Sequence, residues 1–270
     1  MNKFDGNLAW KQASAAVKAN RDLLLALAGV LFFLPSFALI MLFKQPQVPP
    51  GATPAQMLPL MQDFLTTMAP WFLIGSVVQA LGQLALVELL GRGGRPTVGD
   101  ALRVALAALP SFIAVQLIIG FVMMAILVLA MTLGGLVAPV LGAALGVYLV
   151  VQAFARLITA SAVIVLERQR NPFVALMRAL TLSRGNGFRI GNFLFLVAIA
   201  AALVLMVVSV VIGILAALTI GEGRVADIVT GFVSSSASAL ALTYFVAIVV
   251  AMHRQLAGGT PTAAEASDAE

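Results

Sequence analysis

Six apolar runs leave this chain few ways to fold. They cover approximately 22–43, 70–91, 110–133, 138–167, 190–219 and 228–253. As a helix rising ~1.5 Å per residue, each crosses the ~30 Å hydrocarbon core of a bilayer. Lipid offers the backbone no hydrogen bonds, so a run of this length satisfies its own as a helix. Composition agrees: 61% of the 270 residues are hydrophobic and 10% charged, against about half and a quarter in soluble domains. The expected fold is all-α, a polytopic membrane protein with six transmembrane helices. Its single membrane domain occupies 1–256, and a small, acidic, disordered cytoplasmic tail occupies 257–270. The first run ends in Lys-Gln-Pro, which does not read as a cleavable signal.

The net charge of +5 brings nucleic acid to mind, but the basic residues are placed otherwise. Lys3, Lys11, Lys18 and Arg21 precede the first run. Arg92, Arg95 and Arg103 lie between the second and third. Arg168, Arg170, Arg178, Arg184 and Arg189 lie between the fourth and fifth, and Arg254 follows the sixth. All of these fall on one side of the membrane. The other side has only Lys44 and Arg224, and Arg156 falls within a span. The asymmetry places both termini in the cytoplasm, with anionic lipid headgroups rather than nucleic acid as the partner. On the outer side, "KQPQVPPGATP" starts extended and Ala55 to Met68 is expected as a short surface helix. The chain has no cysteine, so disulfide and thiol chemistry are excluded.

Between the fourth and fifth runs stands "NPFVALMRALTLSRGNG", residues 171–187. Asn171 suits an N-cap, Pro172 a first helical position, and Gly185 and Gly187 a stop. Phe173, Leu176, Met177 and Leu180 share one face, and Arg178 points away from it. A helix this short cannot span. It is expected in the inner interface, with Arg178 and Arg184 reaching lipid phosphate. "TVGDALRVALAAL", residues 97–109, repeats the design: Thr97 or Asp100 caps it, Pro110 closes it, and Arg103 lies between Ala101-Leu102 and Ala105-Leu106. "NLAWKQASAAVKANR" is a more divergent copy with Leu8, Trp10 and Val17 for lipid contact. Interfacial amphipathic helices thus precede spans 1, 3 and 5, which suggests three repeats of interfacial helix plus hairpin.

Polar residues inside spans are costly and mark packing or function. Gln152, Arg156 and Thr159 share a face of span four, Gln79 and Gln83 a face of span two, and Gln116 sits in span three. Counted from the outer ends of their spans, Arg156, Glu88 and Gln116 fall in one layer. Arg156 is expected to face the bundle interior and to share its layer with Gln116 and Glu88, with Glu88, Gln116 or phosphate as its partner. This layer of Arg156, Gln152, Gln116 and Glu88 reads either as hydrogen-bonded glue or as a headgroup site. Gly142 and Gly146 in span four, and Ser234 and Ser238 in span six, allow close helix contact. Pro35 should kink span one.

Several segments resemble a known family: the polar helix ahead of span one, "TPAQMLPLMQDF", "LPSF", "YLVVQAFARLITASAVIVLE" and "NPFVALMRALTLSRGNGFRI". The pattern resembles YciC-type bacterial inner-membrane proteins and the six-helix membrane domain named after glycerophosphoryl diester phosphodiesterases. The resemblance covers nearly the whole chain and is densest from Ala175 to Asn186. It implies a multi-pass protein of the bacterial inner membrane. The phosphodiesterase chemistry is not implied, because that needs a separate barrel of ~250 residues with catalytic carboxylates.

Catalytic signatures are missing: there is no His-Glu-x-x-His, no Gly-x-Ser-x-Gly and no Walker A lysine. "GRGGRPTVGD" reads as a turn with lipid-facing arginines. The one histidine, His253, reads as an interfacial residue at the end of span six. No enzyme activity, metal or cofactor is expected. The expected role is membrane-organising, lipid-handling or binding of a membrane-protein partner. The alternative is a small transporter using the Arg156 layer, which requires a cavity between spans two, three and four.

Overall fold

The computed structural model describes residues 3–43, 53–92, 97–135, 138–219, 221 and 223–258. The expected extended segment from Lys44, the turn arginine Arg95 and the tail from 259 onward lie outside these residues. Among the described residues the regular structure is helical, and six helices are long and apolar enough to cross a membrane. The chain is therefore an all-α polytopic membrane protein.

Helix α1 (Gly6–Ala19) leads into span one, which consists of α2 (Arg21–Ala28), a π-helical turn (Gly29–Phe33) and α3 (Leu34–Leu42). The π turn lies directly ahead of Pro35, whose ring displaces the carbonyl of the preceding turn. Span two belongs to α4 (Pro54–Gly91) and span three to α5 (Val98–Gly135). Span four is α6 (Pro139–Leu157) continued by α7 (Ala160–Leu166), broken at Ile158 and Thr159. After α8 (Pro172–Leu182), α9 (Gly187–Thr219) and α10 (Arg224–Ala257) form spans five and six.

Two expected boundaries are corrected. The outer segment 55–68 does not form a separate helix: it is continuous with span two, with Pro59 and Pro70 inside the helix. Likewise Pro110 does not close 97–109, because α5 runs through it into span three. A proline removes one ladder bond, and a long apolar helix keeps the others.

The core lies at the arginine-rich end. There Leu84 to Glu88, Ala160 to Val165 and Val246 to His253 are buried against one another, so the even spans meet at the centre. The odd spans pack on the outside and expose residues such as Leu117, Phe121, Leu203 and Met206.

The segments ahead of spans one, three and five share a capped, alanine-buried pattern. Asp5, Thr97 and Asn171 are the caps: Asp5 accepts from Asn7 and Leu8, Thr97 from Asp100, and Asn171 from Phe173 and Val174. Four and eight residues after each cap stand alanines: Ala9 and Ala13, Ala101 and Ala105, Ala175 and Ala179. All six are fully buried. These small side chains let each capped helix lie close on a span. α1 packs on α10, where Trp10 stacks on Tyr244, α5 packs on α4, and α8 packs on α6 and α7. The expected lipid face of α8 is therefore divided. Leu176 is buried with the alanines, whereas Phe173, Met177 and Leu180 are exposed.

Small-residue packing is as expected in span four, where Gly142 lies against Gly134 and Gly146 against Ala130 and Leu127. In span six the tight stripe is displaced by one residue. Gly231 meets Phe37, Ile40 and Met41 of span one, and the buried positions are Ser235, Ala239 and Thr243 rather than Ser234 and Ser238.

Candidate functional site

Charged groups at the centre of the arginine-rich end pair across the even spans. Glu88, at the end of span two, is buried, and its Oε1 accepts from Arg168 Nη2 at 2.8 Å and lies 3.2 Å from Arg92. Glu167, at the end of span four, lies 3.1 Å from His253 Nε2 and accepts from Arg178 Nε at 3.0 Å. Arg254, at the end of span six, donates to the Leu90 carbonyl at 2.6 Å, closing the loop onto span two. These contacts clamp the three even spans where they meet.

Of the three candidate partners of Arg156, Glu88 is thus taken by Arg168 and Arg92. A shared depth does not fix direction: the Arg156 side chain lies along Gly187 of span five, while Glu88 is met by Arg168 and Arg92. Arg168 reaches Glu88 instead because it leaves α7 in the left-handed region, at φ 56°.

Arg156 is exposed, not interior. Its side chain lies along Gly187, where a Cβ would sit 2.9 Å from Nε. Its carbonyl accepts from Ser183 Oγ at 2.8 Å, which ties α6 to the end of α8. Since span five begins at Gly187, Arg156 lies at the depth where that span starts. One turn away, Gln152 packs on Gly191 and donates to Asn192 Oδ1 at 2.9 Å, which also accepts from Tyr148 at 3.3 Å. The polar stripe of span four therefore faces span five rather than spans two and three. Glycines at 187 and 191 flatten the start of span five so that Arg156 and Gln152 can lie against it. Gln116 is exposed on span three, outside this arrangement. The one polar layer expected from the sequence is in fact three separate places.

Two open clefts flank the start of span five. The first, about 530 Å³, is lined by Arg156, Leu180, Ser183, Arg184, Gly185, Gly187 and Phe188. The second, about 640 Å³, lies beside Lys3, Asp5, Arg189 and Asn192, with Phe188 shared between them. Neither is the cavity between spans two, three and four that the transporter alternative requires. Glu167 and His253, the closest acid and imidazole, line neither cleft. Of the expected phosphate contacts, Arg184 lines the first cleft and Arg103 is exposed on α5, whereas Arg178 commits its Nε to Glu167. Among the described residues no cluster of acidic and histidine side chains suited to a metal ion is present.

Six apolar spans and a clamped core define a multi-pass membrane protein. Comparison with protein-family models, with curated proteins and with solved structures yields no match.

Proposed function

We propose that this is a non-enzymatic protein of the bacterial inner membrane, with both termini in the cytoplasm, that organises its membrane by holding anionic phospholipid. Membership of the YciC-type family is part of this reading. The observation that supports it is the set of three capped helices at the arginine-rich end. Each turns alanines to the bundle and presents apolar and basic side chains outward: Leu8, Trp10 and Lys11 on α1, Arg103 and Leu106 on α5, and Phe173, Met177 and Arg178 on α8. Apolar groups beside cations suit an anionic leaflet, with acyl chains below and phosphates above. Gentle solubilisation followed by mass spectrometry of retained lipid tests the reading. Enrichment of phosphatidylglycerol or cardiolipin over the bulk membrane is expected, and replacing Lys11 and Arg103 with Gln should reduce it. Retained lipid that merely mirrors the bulk composition would refute the reading.

A further inference from the structure

We infer that the cleft between the end of α6 and the turn into span five is a binding site for a phosphate group. The inference rests on the lipid reading above only for the source of that phosphate. Arg156 and Arg184 both line the cleft, and among the described residues neither has a carboxylate within ion-pair distance. Their neighbours differ in this respect: Arg92 and Arg168 pair with Glu88, Arg178 pairs with Glu167, and Arg254 is bound to backbone carbonyls. Two unpaired guanidinium groups converging on one space attract an anion and match the fork geometry of phosphate oxygens.

The backbone contributes to the same space. Gly187 and Phe188 begin α9, a helix of 33 residues, and both line the cleft. The first amides of a helix have no intrahelical acceptor and stand at the positive end of its dipole. Gly185 makes the turn at φ 78°, a conformation that suits glycine. At Gly187 any Cβ would meet Arg156, so the missing side chain is what lets the guanidinium lie here. The lip is apolar: Phe188 and Leu180 are exposed beside the cations and continue into the exposed Met177 and Phe173 of α8. A phosphodiester in the cleft would have its acyl chains against that surface. Inorganic phosphate would use the cations alone.

The full chain in detergent, titrated with short-chain phosphatidylglycerol, short-chain phosphatidylcholine or inorganic phosphate, tests this, with the thermal midpoint as readout. Saturable stabilisation by phosphatidylglycerol is expected. Arg184→Gln should weaken it about tenfold, as for loss of one charge-assisted hydrogen bond, and adding Arg156→Gln should weaken it further. Arg184 is exposed, so that single change leaves the fold intact and keeps the test valid if the double variant is unstable. Arg224→Gln, at the opposite end of the spans, should leave the titration unchanged. Stabilisation by inorganic phosphate alone, with the same arginine dependence, would keep the phosphate site while removing the lipid as its source. Titrations indifferent to both arginines, or stabilisation by phosphatidylcholine equal to that by phosphatidylglycerol in wild type and variants alike, would overturn the site. The lipid retained through Lys11 and Arg103 would still judge the broader reading separately.

Discussion

Arg168 is the residue on which the central clamp depends, and its backbone resists the position. At φ 56° it occupies the left-handed region where glycine usually ends a helix, at a cost of roughly 1–2 kcal/mol for a residue with a Cβ. Its bond to the buried Glu88 offsets that strain. Arg168→Ala loses the pair and keeps the strain, whereas Arg168→Gly loses the pair and relieves it. The alanine variant is therefore expected to be less stable than the glycine variant by about 1 kcal/mol. Arg168→Leu strands a carboxylate that is 1% exposed, with Arg92 its one remaining ion-pair partner among the described residues. A loss of about 3 kcal/mol is expected, partly restored by Glu88→Leu in the double variant. Denaturation of these four variants and of the Glu88→Leu single variant in detergent checks both statements. Strictly additive losses would mean that the pair contributes nothing.

Among the elements, the contact between spans four and five is set by glycine. A Cβ at Gly191 would clash with the Gln152 amide, which is held in place by its bond to Asn192. Gly191→Ala should therefore cost about 1–3 kcal/mol, as overpacking does. Gly213, on the same helix, has nothing within 4 Å of its would-be Cβ. Gly213→Ala should be neutral or stabilising, by up to about 1 kcal/mol. Thermal unfolding of the two variants side by side checks the contrast, and equal effects would show that the contact is not tight. The six spans were legible because length and apolarity alone specify them. The capped helices were legible from Asn171, Thr97 and their alanines. The partners of Arg156 and Glu88 were not. Counting depth along straight helices does not say which way a side chain turns, and it could not anticipate the left-handed Arg168 that reaches Glu88. The facing glycines of span five did leave a signal, Gly187-x-x-x-Gly191, the same four-residue step that was readable at Gly142 and Gly146.

For the whole molecule, the capped helices and the charge asymmetry converge on one orientation. The start of α1 and the end of α10 are adjacent, with the Asp5 amide donating to Gln255 Oε1 at 3.2 Å. Both ends of the membrane domain therefore share a side whichever way the chain inserts. The paired centre, the three capped helices and both clefts lie at that same end, with nearly all the lysines and arginines. The positive-inside rule predicts that this end stays in the cytoplasm, with thirteen basic residues on its side against two beyond the opposite ends of the spans. The native chain has no cysteine, so single cysteines report their side without background. In intact cells a membrane-impermeant maleimide should label Gln47→Cys, between spans one and two, and leave Ala257→Cys unlabelled until the cells are lysed. The reverse pattern would invert the orientation and put the arginine-lined cleft in the wrong leaflet for cytoplasmic phosphate. Labelling of both positions from outside would contradict the odd number of spans, five, that separates them.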